Sequence, residues 1–268
     1  MNEPHISVRG YQADMDYIPE LLDLLKGMEK VAVCFSGGLD STFLAAHARK
    51  ALGKNSMAVM VDMPMLSDVQ REMAESGAEA SGIDLAIVPV RWDRLREVSD
   101  NGERRCYFCK KAIFSAVREA AGSRGFRNLV SGENADDDLS DRPGMSAGKE
   151  MGMRYPLTEL GIRRSVIEKF VSSLCQERMP FKETCLMTRF PVGTPVSEKD
   201  LRFAEACERS VREITGIGLV RVRMSGCTCV VVSSREERDL LFGRGDAVIS
   251  ALKNTGFTEI SLDPEGYP

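Results

Sequence analysis

The sequence predicts an α/β protein, a parallel-sheet domain followed by a small α+β domain. Three observations carry that expectation. Four short runs, VAVCF (31–35), SMAVMVDM (56–63), DLAIVPV (84–90) and NLVSG (128–132), are apolar almost throughout and rich in β-branched residues. Strands apolar on both sides belong to a sheet covered on both faces. Helical patterns lie between them, the alternation of parallel α/β folds. Past about residue 190 the strands instead alternate apolar and polar positions around a glycine turn. The expected domains are 1–190 and 191–268, with the boundary in RFPVGTP.

The remaining elements follow in chain order. IPELLDLLKGMEK (18–30) has the apolar spacing of a helix, and STFLAAHARKAL (41–52) is a helix that Gly53 stops. SDVQREMAESGAEASG (67–82) is a helix with a Ser or Asp cap, and a long helical stretch holding ERRCYFCKK (103–111) precedes the fourth strand. Ser197 with Asp200 three residues on forms a capping box that opens another helix. LVRVRMSG and CTCVVVSS form a hairpin turning near Gly226. One helix through REERDLLFGRGDAVISALKNTG and a last strand, FTEISLD, close the chain.

The 268 residues are 43% hydrophobic and 28% charged, ordinary for a globular protein with a sizeable core. A net charge of −4 gives no overall electrostatic footprint for nucleic acid. No apolar run reaches the roughly 18 residues a membrane helix needs. The N-terminal residues lack a signal-peptide layout, so the expected location is the cytoplasm. Eight cysteines in a reducing compartment read as buried thiols, metal ligands or nucleophiles. The only histidines, His5 and His47, argue against a His-based zinc site or a Ser-His-Asp triad.

Ligands of parallel sheets bind at the carboxyl ends of the strands, which selects the segments after 35, 63, 90 and 131. FSGGLDST (35–42) lies between the first strand and its helix. Its glycines let backbone approach a ligand, and its amides face an anion at the helix N-terminus. Ser36 and Ser41 add hydroxyls beside Gly37, Gly38 and Asp40. SGENADDDLSDRPGM (131–145) follows the fourth strand, with Ser131 and Gly132 expected at the nucleotide. Its carboxylates Glu133, Asp136, Asp137, Asp138 and Asp141, with Asp40, would repel a triphosphate unless Mg²⁺ lies between them. Asp40, Asp136 and Asp137 are the candidate Mg²⁺ ligands. Cys106 and Cys109 form a C-x-x-C pair among basic residues, and Cys185 stands four residues before Arg189. Cys34, Cys175 and Cys207 fall in strand or helix patterns and are expected in the core. Alternation puts Cys227 and Cys229 on one face, so a second thiol site stays open.

The S-G-G-x-D-S string resembles the pyrophosphatase loop (PP-loop) of the adenine-nucleotide α-hydrolase superfamily, whose members split ATP between the α and β phosphates to adenylate an acceptor. The ordered series S-G-G-x-D-S, R-C-Y-x-C-K, S-G-x-N-x-D-D, D-R-P-G, C-L-x-T-R-F-P and V-R-V-R resembles the LarE family, over roughly residues 18 to 230. The resemblance implies a PP-loop domain that uses ATP and Mg²⁺. It implies a sulfur transferase that turns carboxylates of a pyridinium 3,5-dicarboxylate mononucleotide into thiocarboxylates. It assigns the pyrophosphate to Ser36, Gly37, Gly38 and Ser41, and substrate contacts to Trp92, Arg189, Arg221 and Arg223.

In the plain form of the family, the cysteine matching Cys185 gives up its sulfur and becomes dehydroalanine. Here Cys106, Cys109 and Cys185 together match the three-cysteine variant. They would hold a [4Fe–4S] cluster with one iron open for a hydrosulfide taken from sulfide or another sulfur donor. Zinc or plain structural thiols stay as alternatives. A tRNA thiolation enzyme and a non-catalytic nucleotide or iron–sulfur sensor are rival functions. The acidic balance argues against the first, and the presence of Asp40, Asp136 and Asp137 against the second. A homo-oligomer is compatible with the sequence.

Overall fold

The computed structural model describes residues 17–137, 143–175 and 183–267. Asp138 and Asp141 lie outside the described residues.

The described residues begin with helix α1 (Pro19–Lys26), strand β1 (Val31–Cys34) and helix α2 (Leu39–Leu52). Then come β2 (Ser56–Asp62), α3 (Asp68–Ser81), β3 (Leu85–Pro89), a short α4 (Arg96–Ser99), α5 (Arg105–Gly122) and β4 (Asn128–Ser131). The four strands form one parallel sheet in the order β3-β2-β1-β4. The chain therefore builds outward from β1 through β3 and crosses back to lay β4 on the other side of β1. A crevice opens at the strands' carboxyl ends where the order reverses, between β1 and β4.

The two-sided burial expected of the strands holds for β1, β2 and β4, whereas β3, at the edge of the sheet, is only partly covered and leaves Ile87 exposed. Successive side chains of a strand face opposite sides. Val31, Val33, Ala58, Met60 and Val130 face a core with α1, α2, α3 and a helix α8 (Arg164–Leu174). Ala32, Met57, Val59, Val61 and Leu129 face a second core with α5 and the segment around Leu186 and Met187. α6 (Pro143–Glu150) and α7 (Pro156–Glu159) bridge β4 to α8.

The capping logic holds at both expected helix starts. The Ser67 hydroxyl accepts from the Gln70 amide, with Gln70 answering the Ser67 amide, and Ser197 and Asp200 do the same at α9 (Glu198–Thr215). α9 spans two cores. Leu201 packs with the second core of the parallel sheet, whereas Ala204, Cys207 and Val211 pack in a third.

That third core lies against the sheet β5 (Val220–Ser225), β6 (Thr228–Ser233) and β7 (Glu259–Leu262). β5 and β6 are antiparallel, turning at Gly226 with φ of +58°, and β7 runs parallel to β6. The single long helix expected over 235–256 is instead two, α10 (Arg238–Gly243) and α11 (Gly245–Lys253). Arg244 leaves helical geometry between two glycines, where helix propensity is low. The expected boundary at 190/191 falls in the irregular, turn-containing segment between Arg189 and α9. No helix among the described residues is long and apolar enough to cross a membrane.

Candidate active-site cleft

The loop after β1 is folded around glycine. Gly37 has φ of +73°, and a Cβ there would stand 2.4 Å from the Ala74 backbone on α3. Only a residue without a side chain lets the loop lie this close to α3. Gly132, at the end of β4, makes a similar approach: its Cβ would stand 3.0 Å from the Asp40 carbonyl carbon and the Ser41 amide nitrogen. The Ser36 and Ser41 hydroxyls are 3.2 Å apart, and Ser41 donates to the Gly38 carbonyl. The loop is thus ordered by its own hydroxyls, and α2 starts directly from it.

A cleft of about 640 Å³ opens over this loop. Its lining includes Ser36, Gly38, Asp40, Ser41, Ser131, Gly132, Glu133 and Asp137 from the sheet's carboxyl end, with Cys106 and Lys110 from α5. Six expected nucleotide residues, Ser36, Gly38, Asp40, Ser41, Ser131 and Gly132, therefore meet in one place, with Gly37 inside the same loop.

The acidic candidates divide. The Asn134 side-chain amide donates to Asp40 at 3.0 Å, and the Asn134 backbone amide donates to Asp137 at 3.1 Å. Burial pushes the Asp40 carboxyl above the usual carboxylate range, while Asn134 and Arg164 pull it back. Asp136 turns away from the cleft and accepts the Arg164 amide at the start of α8, at 2.8 Å. Asp40 and Asp137 thus share the cleft, and Asp136 does not line it.

The three thiols expected to act together are electrostatic neighbours. Burial pushes the Cys109 thiol up to about 12, with Cys185 and Cys106 adding to the rise and Lys110 and Arg105 opposing it. Burial likewise raises Cys185, against Arg105. Cys106 is exposed, and Cys109 and Cys185 are half-buried. Among the described residues, no group of three or more His, Cys, Asp or Glu side chains is gathered closely enough to hold a metal ion. Three thiols are the donor type an iron–sulfur group takes, but only Cys106 lines the cleft, and the three are not drawn into a ligand sphere.

The Cys185 segment is anchored from behind. The Leu186 amide donates to the Met65 carbonyl at 2.9 Å. Arg189, expected to meet substrate, is 1% exposed and lies inside the protein. Its guanidinium donates to Glu208 at 2.6 and 3.1 Å and to Glu183 at 2.8 Å. The four-residue spacing from Cys185 was legible, but the Arg189 charge is taken up by α9, and Glu208 also accepts the Val222 amide of β5.

Trp92 does not line this cleft. It borders a neighbouring hollow of about 480 Å³ beside Asp62, Arg71 and Arg202. Arg221 is 3% exposed with its guanidinium 3.6 Å over the Tyr267 ring, while Arg223 on the same strand face is exposed. Cys229 is buried and Cys227 is exposed, so the pair does not share a setting.

Two cleft residues were not singled out from the sequence. Cys34, expected in the core, is half-buried and lines the cleft, because it is the last residue of β1. Burial pushes its thiol up to about 11, with Lys110 opposing. Lys110 forms an ion pair with Glu133 at 3.1 Å. Against the cost of its own burial, Glu133 holds the Lys110 ammonium above the ordinary lysine range. Its position one helical turn beyond Cys106 was the available signal.

No protein-family profile matches the chain. The chain is 30% identical over 249 residues to an uncharacterized protein of Synechocystis, covering 90% of each. It is 27% identical over 251 residues to the pyridinium-3,5-bisthiocarboxylic acid mononucleotide synthase of Lactiplantibacillus plantarum, covering 92% of this chain and 90% of that one. A shorter match, 33% over 96 residues, reaches the glutamine-hydrolysing GMP synthase of Thermosipho africanus and covers 34% of this chain and 19% of the other. Similarity running nearly end to end in both chains, over a sheet that carries its glycine-rich loop at the switch point, makes this chain a member of the LarE family of PP-loop proteins.

Proposed function

We propose that this protein is an ATP-dependent sulfur transferase. It adenylates a carboxylate of pyridinium-3,5-biscarboxylic acid mononucleotide, releases pyrophosphate, and converts the acyl group to a thiocarboxylate with loss of AMP. The observation that carries this reading is the single cleft shared by the PP-loop and the first thiol of the C-x-x-C pair. The product named for the Lactiplantibacillus plantarum relative gives the substrate class.

A carboxylate oxygen is a poor leaving group, and AMP makes it a good one. The amides of Gly37 and Gly38, with the Ser36 and Ser41 hydroxyls, bind the pyrophosphate portion at the N-terminus of α2. Ser131 and Gly132 wall the nucleotide. Asp40 and Asp137 are the residues that would hold Mg²⁺, whose charge would neutralise the phosphates beside these carboxylates. Asp136 serves the start of α8 instead. Trp92, Arg221 and Arg223 stay assigned to the mononucleotide by family resemblance, and Arg189 becomes the residue that positions the Cys185 segment.

Sulfur leaves from the Cys106, Cys109 and Cys185 group. A [4Fe–4S] group held by these three thiols would supply an open iron for a hydrosulfide from an external sulfur donor. The Cys185 thiol offers a second route, which needs no metal. The Cys185 sulfur attacks the acyl carbonyl and expels AMP. The Cα proton then leaves, the Cβ–S bond breaks, and a thiocarboxylate and dehydroalanine remain.

Purification without oxygen, iron analysis and intact mass after turnover separate the two. About four irons with a broad band near roughly 400 nm indicate the cluster route. A colourless protein lighter by about 34 Da, the mass of hydrogen sulfide, indicates the Cys185 route. Cys106→Ala abolishes transfer in the first case and spares it in the second. Wild type that forms no pyrophosphate with the pyridinium substrate under either condition would refute the proposed function.

A further inference from the structure

We propose that Lys110 is a catalytic residue whose ammonium binds the α-phosphate of ATP and of the acyl-adenylate. This rests on the adenylation reading above. Among the described residues, Lys110 is the one basic side chain lining the cleft, which it shares with the carboxylates of Asp40, Glu133, Asp137 and Glu183. Arg164 is drawn to Asp40 at 3.8 Å without lining the cleft, so Lys110 is the lining side chain whose charge can pair with a polyphosphate.

Its position says which phosphate. The pyrophosphate portion belongs to the loop amides at the start of α2. Lys110 comes from α5, which packs on the other face of the sheet from α2, and it lines the cleft beside the paired strand ends Cys34 and Ser131. It sits one helical turn from Cys106, so its charge lies on the thiol side of the cleft. The reacting carbonyl is bonded through oxygen to the α-phosphorus and must also meet the sulfur. A group held between the PP-loop and the thiols is therefore at the α-phosphate.

The side chain is held for the task. The Lys110 ammonium donates to Glu133 at 3.1 Å and lies 5.2 Å from the Phe114 ring centroid. Its stem is so close to α6 that a Cβ on Gly144 would stand 3.0 Å from the Lys110 Cγ. A cation fixed before the reaction stabilises developing charge without reorganising. When the substrate carboxylate oxygen attacks the α-phosphorus, the bond to the bridging β-phosphate oxygen breaks and pyrophosphate departs. Negative charge grows on the α-phosphate oxygens during that step. The same contact helps AMP leave when sulfur attacks the carbonyl.

The test uses the full chain and two simple probes, AMP and Mg²⁺–pyrophosphate, titrated calorimetrically into wild type, Lys110→Met and Lys110→Arg. Lys110→Met is expected to weaken AMP binding by about 10- to 100-fold, the range of a lost charge-assisted hydrogen bond. Pyrophosphate affinity is expected to stay within about threefold, and Lys110→Arg to regain most of the AMP affinity. Should Lys110→Met fail to fold, Lys110→Gln carries the same comparison. Equal weakening of both probes moves Lys110 to the β or γ phosphate and overturns the proposal, as does weakening of neither. A wild type that binds both probes yet forms no pyrophosphate with the pyridinium substrate refutes the proposed reaction, while the α-phosphate assignment is still decided by the AMP comparison.

Discussion

Arg189→Met tests whether the Cys185 segment is held by a buried charge network. Arg189 and Glu208 expose 0% and 1% of their side chains, and Glu183 exposes 4%. Removing the guanidinium strands two carboxylates away from water while leaving their other contacts in place. Breaking a buried pair by deleting one partner costs about 3–5 kcal/mol. A domain's whole stability is about 5–15 kcal/mol, so this is a large fraction of it. The cost must also depend on pH. An orphaned buried carboxyl has its folded-state pKa raised above the unfolded value of about 4.3, so the variant folds with protons it must take up. Its deficit is therefore largest near pH 8 and shrinks as pH falls toward 5. Urea unfolding of both proteins at pH 8, 6.5 and 5.5 measures this. A second readout follows from the anchoring role. Cys185 should react with a thiol reagent at least about tenfold faster in the variant, because a segment released from α9 opens locally. A deficit below about 1 kcal/mol, equal at every pH, would show that Arg189 does not neutralise these carboxylates and would return it to the substrate candidates.

Three further outcomes are expected. His47 is fully buried among aromatic rings, receiving the Ile18 amide at Nε2 and bonding the Phe43 carbonyl through Nδ1, and burial lowers its pKa to about 4. The unfolded chain takes up the proton near pH 6.5 and the folded chain does not, so about 3 kcal/mol of stability is lost between roughly pH 7 and 4; His47→Gln should flatten that part of the pH–stability curve, and an unchanged slope would refute the assignment. Gly37→Ala places a Cβ 2.4 Å from the α3 backbone at a φ of +73°; Mg²⁺–ATP affinity should fall at least about tenfold with a lowered melting temperature, whereas wild-type values would show the loop yields freely. Limited alkylation at pH 8, read by peptide mass, should modify the exposed Cys106 and Cys227 well before Cys109 and Cys185; early loss of the Cys185 thiol would contradict the burial of that segment.

The parts of the fold legible in the sequence are those where one residue type serves one purpose locally. Both capping boxes, the two-faced strands and the glycine loop are of this kind, since a short stretch holds every participant. The parts that were not legible depend on partners distant in the chain. Arg189 beside Cys185 looks like a site cation until Glu208, 19 residues on, comes round on α9. Asp136 and Asp137 are indistinguishable as letters, and only the start of α8 decides which one turns away. Cys34 was read by its apolar neighbours, yet the rule that ligands bind at strand ends already pointed to it, one residue before the loop. The break between α10 and α11 could have been read from the glycines on either side of Arg244.

The electrostatics of the cleft impose an order on the reaction. Cys109 and Cys185 lie in surroundings that favour the neutral thiol, and an unaided thiol is a weak nucleophile. Lys110, already paired with Glu133, gives only a partial counterweight. In the proposed reaction the thiols of the resting protein are therefore weak nucleophiles until an activated acyl group is in place. Reactivity has to arrive with something that brings positive charge to the thiols or draws their protons away. On the cluster route Cys106, Cys109 and Cys185 would hold iron, whose charge would keep them deprotonated whether or not substrate is present. On the Cys185 route the thiol proton has to leave only after the acyl-adenylate forms, as the sulfur attacks the carbonyl and AMP departs. The two routes thus predict opposite behaviour of the thiols before substrate arrives. With anaerobic protein and no ATP, the thiolate absorbance near roughly 240 nm stays low at pH 8 if Cys185 is the donor, whereas the three thiols resist alkylation together if they are already ligands.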